Sequence, residues 1–380
     1  MNKEIVIGKI PFVFAPINTE DNPYPIPNSL MFKLTTGYGG VVQQAKSTET
    51  EMALKYAYMC GSTVTGQMDD YGNGKEYADE FLDYIKQNCI LKDKNVLEIG
   101  CGTGYLLSQL QKEGATCIGI EPGECNVKYG RKKFGVTIIQ DFFRKELFSA
   151  EMKFDVIVFY CVLEHIYNIR SFLEDTKEIL SNDGKVFLGV PNSYPHLARG
   201  DISMLFIEHW NYFTMKSLKS VFYQCRMKGN TIESRRGGTL FGMFKKGNDE
   251  LMSVNEKNEE FFNFRQKFVR NKAIIENFLE TTTNNGNSLG VYVAWGFINW
   301  INICSEFVNL HNVRFIDDNP LLKDTFYPGY SNPIENYDSF MNQPTEYILI
   351  ASYTYEKTIM NRIIESDYPG RIITIKELLS

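Results

Sequence analysis

The sequence has little of what marks several protein classes. None of its eight cysteines lies in a Cys-x-x-Cys pair, and no apolar run is long enough to cross a membrane. The first absence argues against a Cys-rich zinc site and for a reducing compartment, and the second predicts no transmembrane helix. Basic residues (40) are fewer than acidic ones (46), so the chain lacks the basic surface of a nucleic-acid-binding domain. We expect no metal, no membrane and no nucleic-acid partner.

The N-terminal stretch also lacks the features of a secretory signal. Lys9 interrupts its apolar residues, and no small-residue cleavage site follows. Together with the scattered cysteines, this predicts a soluble, cytoplasmic protein. Its 380 residues, 43% hydrophobic and 23% charged, are typical of a globular chain with two or three domains.

Apolar runs divide the chain into four parts. The runs NVLEIG, TCIGIE, VTIIQD, FDVIVFY and KVFLGVP alternate with helical patterns, which predicts a parallel sheet covered on both faces. GGTLFGMFKKG is expected to close that sheet as an antiparallel strand. The expected parts are an N-terminal substrate-side segment of irregular or short β structure and helix (1–74), the domain with this sheet (75–246), a linker with an amphipathic helix (247–285) and a smaller α/β lobe (286–380).

The clearest motif is the glycine loop in NVLEIGCGTGYL, residues 95–106. Gly100, Gly102 and Gly104 follow an apolar strand and precede a helix. Glycine permits a sharp turn and close approach of a ligand to the backbone, and the helix N-terminus offers free N–H groups. A dinucleotide fingerprint requires a third glycine at position 105, where this chain has tyrosine. The acidic Glu98 before the loop disfavours a pyrophosphate and favours a cationic ligand.

This segment resembles the first motif of the class I S-adenosylmethionine-dependent methyltransferases. The resemblance implies an α/β fold with a Rossmann-like methyltransferase sheet and S-adenosylmethionine as cofactor. It places Glu121, which is followed by Pro122, on the ribose hydroxyls. It also places Asp141 near the adenine amino group and Tyr160 on the wall of the cofactor site.

FIEHWNYFT, residues 206–214, resembles a segment of the sugar C-methyltransferases, which methylate nucleotide-linked 4-keto-deoxysugars. That resemblance makes His209 the general base, with Glu208 orienting it. Imidazole can remove a proton beside a ketone once the enolate is stabilised. Tyr58, in YAYMCGS, corresponds to a tyrosine that reaches the substrate. VYVAWG, VRFIDDNPLL and FYPGYSNPI follow the order of the family's C-terminal lobe, so we expect a second, smaller Rossmann-like lobe there.

Two departures leave the acceptor open. Residues 1–59 contain no cysteine, so the family's N-terminal zinc module is absent, and the bulky Trp295 and Phe297 occupy a turn where the family has small residues. We expect a small-molecule substrate, first a nucleotide-linked keto-deoxysugar. It should lie at the carboxyl ends of the strands, between the cofactor domain, the N-terminal segment and the C-terminal lobe. The alternatives are O- or N-methylation of another sugar or metabolite, and an inactive cofactor-binding scaffold. His165 is interpreted as a structural residue or as one that lies beside the cofactor. The sequence leaves the methylated atom and the oligomeric state undecided.

Overall fold

The computed structural model describes residues 4–12, 27–60, 72–247 and 259–380. These residues form two compact units, each built from separate segments. The C-terminal unit contains the described residues up to Leu34, Pro195–Glu208 and the chain from Glu259 to its end. The central unit contains the described residues from Thr35 to Tyr194 and from His209 to residue 247. The boundaries expected from the sequence differ, because chain order does not show which distant segments pack together.

The strands are given in chain order. They are β1 (Ile5–Pro11), β2 (Ser29–Thr36), β3 (Val42–Gln44), β4 (Asn95–Ile99), β5 (Thr116–Ile120), β6 (Ile138–Ile139), β7 (Phe154–Tyr160), β8 (Leu180–Pro191), β9 (Asn211–Tyr212), β10 (Met227–Glu233), β11 (Thr239–Lys246), β12 (Leu289–Tyr292), β13 (Val313–Ile316), β14 (Ile334–Glu335), β15 (Tyr347–Ile350) and β16 (Arg371–Thr374).

The α-helices are α1 (Thr48–Cys60), α2 (Gly72–Asn88), α3 (Tyr105–Lys112), α4 (Glu124–Phe134), α5 (Ile169–Ile179), α6 (Tyr194–Arg199), α7 (Met215–Gln224), α8 (Glu259–Thr283), α9 (Ile298–Ile303), α10 (Tyr337–Phe340), α11 (Glu356–Glu365) and α12 (Ile375–Leu378). Short 3₁₀ turns connect some of these elements, among them Leu163–His165. Within the described part of the chain, no helix has both the length and the apolar character needed to cross a bilayer.

The central unit contains a seven-stranded sheet in the order β10-β11-β8-β7-β4-β5-β6. Its strands from β8 to β6 pair in parallel, while β11 pairs antiparallel with β8 and β10 with β11. The inner strand β7 is almost wholly apolar and buried, and β4 is buried after Asn95, as expected for strands covered on both faces. From β4 the chain adds β5 and β6 on one side and then β7 and β8 on the other. This switch in strand order creates a crevice at the carboxyl ends of β4 and β7.

The C-terminal unit contains a smaller sheet in the order β14-β13-β12-β15-β16, all parallel. The same unit contains the antiparallel pair β1 and β2, in which Lys9 is opposite Met31. In the central unit, β3 and β9 form a short antiparallel pair.

The structure confirms the predicted α/β class and the closing antiparallel strand. It differs from the sequence prediction in three local features. The run VTIIQD forms only the two-residue β6. The strand β10, whose residues are mostly polar or exposed, was not predicted. The helix expected to continue to about Asn309 ends at Ile303 and is followed by 3₁₀ turns.

Candidate functional site

The glycine loop lies at the carboxyl end of β4, at the crevice of the central sheet. Gly100, Gly102 and Gly104 all have positive φ, at 70°, 51° and 78°, a region that side chains with a Cβ rarely adopt. A Cβ on Gly100 would lie 2.5 Å from Cγ2 of Val162. Both the backbone conformation and the available space therefore require glycine at position 100.

Glu121 follows β5 and holds the loop from the neighbouring strand. Its carboxylate accepts hydrogen bonds from the backbone N–H of Gly102 (3.0 Å) and of Gly123 (2.8 Å). Burial raises the pKa of Glu121 above its ordinary value, while these N–H groups oppose the rise. The carboxylate thus lies at the mouth of the glycine loop, with two backbone donors fixing its position.

A cavity of about 260 Å³ extends from the loop along the ends of β5 and β7. Its volume is close to the lower end of the roughly 300–1,000 Å³ range of small-molecule sites. Six of the eight residues predicted to bind the cofactor line it: Gly100, Gly102, Glu121, Pro122, Asp141 and Tyr160. The structure therefore brings most of the predicted cofactor residues to one cavity.

Glu98 and Gly104 are not among the described residues that line the cavity. Glu98 is buried within β4, and its carboxyl accepts a hydrogen bond from the backbone of Leu107, one of the free N–H groups of the first turn of α3. Burial, followed by the charge of Glu121, raises the pKa of Glu98 well above its ordinary value. Gly104 is the N-cap of α3. Both residues thus support the loop from behind, and their predicted contact with the cofactor stays a prediction.

Asp141 and Tyr160 line the cavity with additional internal contacts. The Asp141 carboxylate accepts hydrogen bonds from Arg144 and from the backbone of Phe142, both at 2.8 Å. The ring of Tyr160 packs on Phe81 at 4.9 Å between centroids. Asp141 is thus fixed in orientation at the cavity wall, and Tyr160 contributes mainly a packed aromatic surface.

Two histidines meet beside this cavity. His165, which lines it, contacts His209 edge to face, with ring centroids 4.8 Å apart and planes at 84°. Glu164 completes the group, since one ligand atom from each of these three side chains lies within 4.8 Å of the others. Burial, followed by the charge of His165, lowers the pKa of His209 well below its ordinary value. The predicted active-site histidine therefore contacts a residue that lines the cavity.

Asn211 connects the two segments that carry these histidines. Its side-chain amide donates to the carbonyls of Leu163 (3.1 Å) and Ile166 (2.7 Å), which flank Glu164 and His165. Its oxygen accepts from Gln43 (2.8 Å), which also donates to the carbonyl of Tyr167. This buried amide network holds the 3₁₀ turn against β9, and so fixes His165 relative to His209.

The other predicted catalytic residues are less well located. Glu208 is half-buried and is the last residue of the segment Pro195–Glu208, which belongs to the C-terminal unit. Burial raises its pKa to about 7. The backbone of Tyr58 belongs to α1, but its side chain lies outside the described residues. The structure therefore places His209 against His165, which lines the cavity, and the catalytic roles of His209, Glu208 and Tyr58 stay predictions.

Sequence reasoning missed Glu164 and the roles of Cys161 and Asn211. Cys161 follows β7 with φ of 53° and lines the cavity, and the sequence pattern of a buried strand gives no sign of that conformation. Glu164 and Asn211 lie on separate segments, which the hydrogen bonds from Asn211 to Leu163 and Ile166 hold together. The repeated Glu-His dipeptide, at 164–165 and 208–209, was the one available signal.

Comparison with known proteins identifies the central part of the chain. Residues 68–224 match the family model described as "Methyltransferase domain". This segment includes the glycine loop, Glu121 and the His165–His209 pair. It does not include the sheet from β12 to β16.

Curated relatives match a shorter stretch. The "Ubiquinone biosynthesis O-methyltransferase" of Actinobacillus pleuropneumoniae serotype 5b is 35% identical over 121 residues, covering 29% of this chain and 52% of the relative. The protein of the same name from Pelagibacter ubique is 30% identical over 123 residues, covering 29% and 51%. The chain spans about half the length of the curated relatives it matches.

Solved structures give a weaker overall likeness. The magnesium protoporphyrin IX methyltransferase of Synechocystis PCC 6803 with bound SAH superposes with a TM-score of 0.41 at 13% identity, covering 52% of this chain and all of that one. The family model, by contrast, matches the segment that contains the glycine loop. The central sheet is Rossmann-like, and residues 68–224, which contain most of it, are similar to a methyltransferase domain.

Proposed function

We propose that the chain transfers a methyl group from S-adenosylmethionine to a small-molecule acceptor held beside His165 and His209. The observation that carries this proposal is the position of the His165 ring, which lines the cofactor cavity and contacts His209 at 4.8 Å between centroids. Methyl transfer needs a nucleophile aligned with the methyl group and a side chain that handles the proton of the acceptor.

The cavity has the groups that this cofactor needs. Glu121 would accept the ribose hydroxyls, Gly100 and Gly102 let a ligand approach the backbone, and Asp141 would face the adenine amino group. Phe142 and Phe143 supply apolar wall on the same side. The bound cofactor supplies a methyl group activated by a cationic sulfur, and the chain supplies its position.

The first acceptor class is a carbon beside the ketone of a nucleotide-linked keto-deoxysugar. The segment FIEHWNYFT supports it, together with the contact between His209 and His165, which lines the cavity. In this reaction the imidazole of His209 removes the proton from the carbon, Glu208 orients the ring, and Tyr58 contacts the sugar.

The second acceptor class is a hydroxyl oxygen. The names of the relatives support it, since both are O-methyltransferases of ubiquinone biosynthesis. Their matches cover 29% of this chain and leave most of it, including the C-terminal sheet, without a counterpart. The same two histidines would face the hydroxyl proton.

The test is methyl transfer from methyl-labelled S-adenosylmethionine to a panel of 4-keto and 4-hydroxy nucleotide-linked sugars and small phenols, with NMR of the product. A new carbon–carbon bond identifies the first class and a methoxy group the second.

His209→Ala should abolish turnover while preserving the affinity for S-adenosylhomocysteine. His311→Ala, an exposed histidine of the C-terminal unit, is the matched control. Transfer to no acceptor by a chain that binds the cofactor product would contradict the proposal.

A further inference from the structure

Glu164, His165 and His209 form a ligand set that the sequence did not predict. Two imidazole nitrogens and one carboxylate oxygen lie within 4.8 Å of one another. Atoms bound to one ion at about 2.0–2.2 Å lie roughly 3–3.5 Å apart. Side-chain movements of about an ångström would therefore bring the three atoms onto one ion.

The chemistry of these ligands selects the kind of ion. Imidazole suits Zn²⁺, Co²⁺ and similar transition metals, whereas Mg²⁺ and Ca²⁺ prefer oxygen ligands. Two histidines and one carboxylate occupy only three positions and leave others open for a substrate. This set is therefore typical of a metal that acts on a bound molecule.

The surroundings also resemble those of a metal site. The Cys161 thiol is hydrogen-bonded to the Glu164 carboxylate, and the Asn211 amide holds the backbone on both sides of Glu164 and His165. Such outer contacts fix the orientation of metal ligands. They connect the ligand set to the cofactor cavity, since Cys161 and His165 both line it.

We propose that Glu164, His165 and His209 bind one divalent transition-metal cation, which holds an oxygen atom of the acceptor beside the cofactor. This inference rests on the proposed function for the identity of the acceptor, but the metal site itself does not. The cation would polarise a hydroxyl or stabilise an enolate oxygen as a Lewis acid. With the metal bound, His209 would be a ligand, so this inference and the role of His209 as proton acceptor exclude one another, and turnover by a metal-free chain decides between them.

The first experiment measures metal binding without turnover. The full chain is stripped with a chelator and titrated with Zn²⁺ by calorimetry and with Co²⁺ by visible absorption. We expect one ion per chain and a Co²⁺ spectrum with nitrogen ligation. Acetohydroxamate, a bidentate oxygen ligand, should then shift that spectrum by entering the open positions.

Variants assign the site. His209→Ala, His165→Ala and Glu164→Gln should each lower the metal affinity by more than tenfold, and Asn211→Ala, which removes a positioning residue, by roughly tenfold. His311→Ala should leave it unchanged. The affinity of each variant for S-adenosylhomocysteine reports whether the central unit is folded.

Three results of the binding experiments would overturn the inference: no stoichiometric binding, binding that survives the ligand substitutions in a folded variant, or a Co²⁺ spectrum that acetohydroxamate does not change. None of them bears on methyl transfer itself. Turnover by a metal-free chain would overturn the inference and leave the proposed function standing. A chain that binds metal and acetohydroxamate but methylates no acceptor would support the site and contradict the proposed function.

Discussion

The two parallel sheets of this chain have the same strand order but different strand ends. In the central unit β8-β7-β4-β5-β6 corresponds, strand for strand, to β16-β15-β12-β13-β14 of the C-terminal unit. The backbone repeats as well. Gly100, just after β4, donates to Ile120 at 2.8 Å, and Val293, just after β12, donates to Ile316 at 2.8 Å. Both residues have positive φ.

An acidic residue follows the second strand in each unit, but its surroundings differ. Glu121 accepts backbone N–H groups of the glycine loop and lines the cavity. Asp317 accepts the N–H of Asn319, and its neighbour Asp318 pairs with Arg362 and Tyr292. The turn after β12 has valine and tryptophan where the turn after β4 has glycines. The same backbone thus supports a cofactor site only where glycine leaves space and the acid is directed at that space.

The largest effect is expected from Gly100→Ala. The new Cβ would lie 2.5 Å from Val162, and a left-handed backbone adds strain, so we expect a loss of about 3 kcal/mol, or roughly 100-fold, in affinity for S-adenosylhomocysteine. Calorimetry measures this. The control is Gly135→Ala, which has φ of 66° but no atom within 4 Å of the added Cβ. It should cost about 1 kcal/mol of stability and no affinity. Equal losses of affinity would contradict the argument from space.

Glu121→Gln tests the role of the acid. The substitution keeps the volume but replaces one of the carboxylate oxygens that accept from Gly102 and Gly123, so we expect affinity for S-adenosylhomocysteine to fall by about 2–3 kcal/mol. Asp317→Asn, at the corresponding position of the other sheet, should leave that affinity unchanged. Glu124→Gln, an exposed residue of α4, controls for the loss of a nearby charge. If Asp317→Asn weakened binding as much, the proposed difference between the two sheets would fail.

The sequence was sufficient for the α/β fold and for six of the residues that line the cavity. Apolar runs predicted the parallel strands, because buried strands leave a continuous apolar signal, and glycines at a strand end predicted the loop. The sequence could not reveal that Glu98 accepts a hydrogen bond from the backbone of Leu107. It also could not reveal the group formed by Glu164, His165 and His209, since their proximity depends on the buried amide of Asn211.

The buried carboxylate of Asp201 is expected to make the stability of the C-terminal unit depend on pH. Burial opposes its ionisation, but His196 and Ser203 outweigh it and lower the pKa of Asp201 from 3.8 to about 2. A lowered pKa stabilises the fold at pH values above about 4, and this stabilisation of about 2 kcal/mol is lost as the pH falls through about 2. Urea unfolding followed by tryptophan fluorescence should show this loss, since Trp300 donates to Asp201.

Asp201→Asn should lower the stability at neutral pH and flatten its dependence on pH below about 4. Asp338→Asn removes a carboxylate whose side chain is 82% exposed and should change both by less than about 1 kcal/mol. An unchanged pH profile in the Asp201 variant would show that the buried acid does not stabilise this unit.

Val293→Gly makes the smallest change and tests whether the two strand ends are equivalent. Glycine releases the strain of a β-branched residue at φ of 58°, worth about 1–2 kcal/mol. Glycine also loses more backbone entropy on folding than valine does, and it removes the packing of a half-buried side chain. Together these two losses cost about as much as the released strain. We therefore expect the free energy of unfolding to change by less than about 1 kcal/mol.

Val291→Gly, within β12 and fully buried, should cost about 3 kcal/mol or more, because no strain is released there. If the two substitutions cost the same, the positive φ of Val293 stores no strain. The requirement for glycine after β4 would then come from the space that Val162 occupies and not from the shape of the turn.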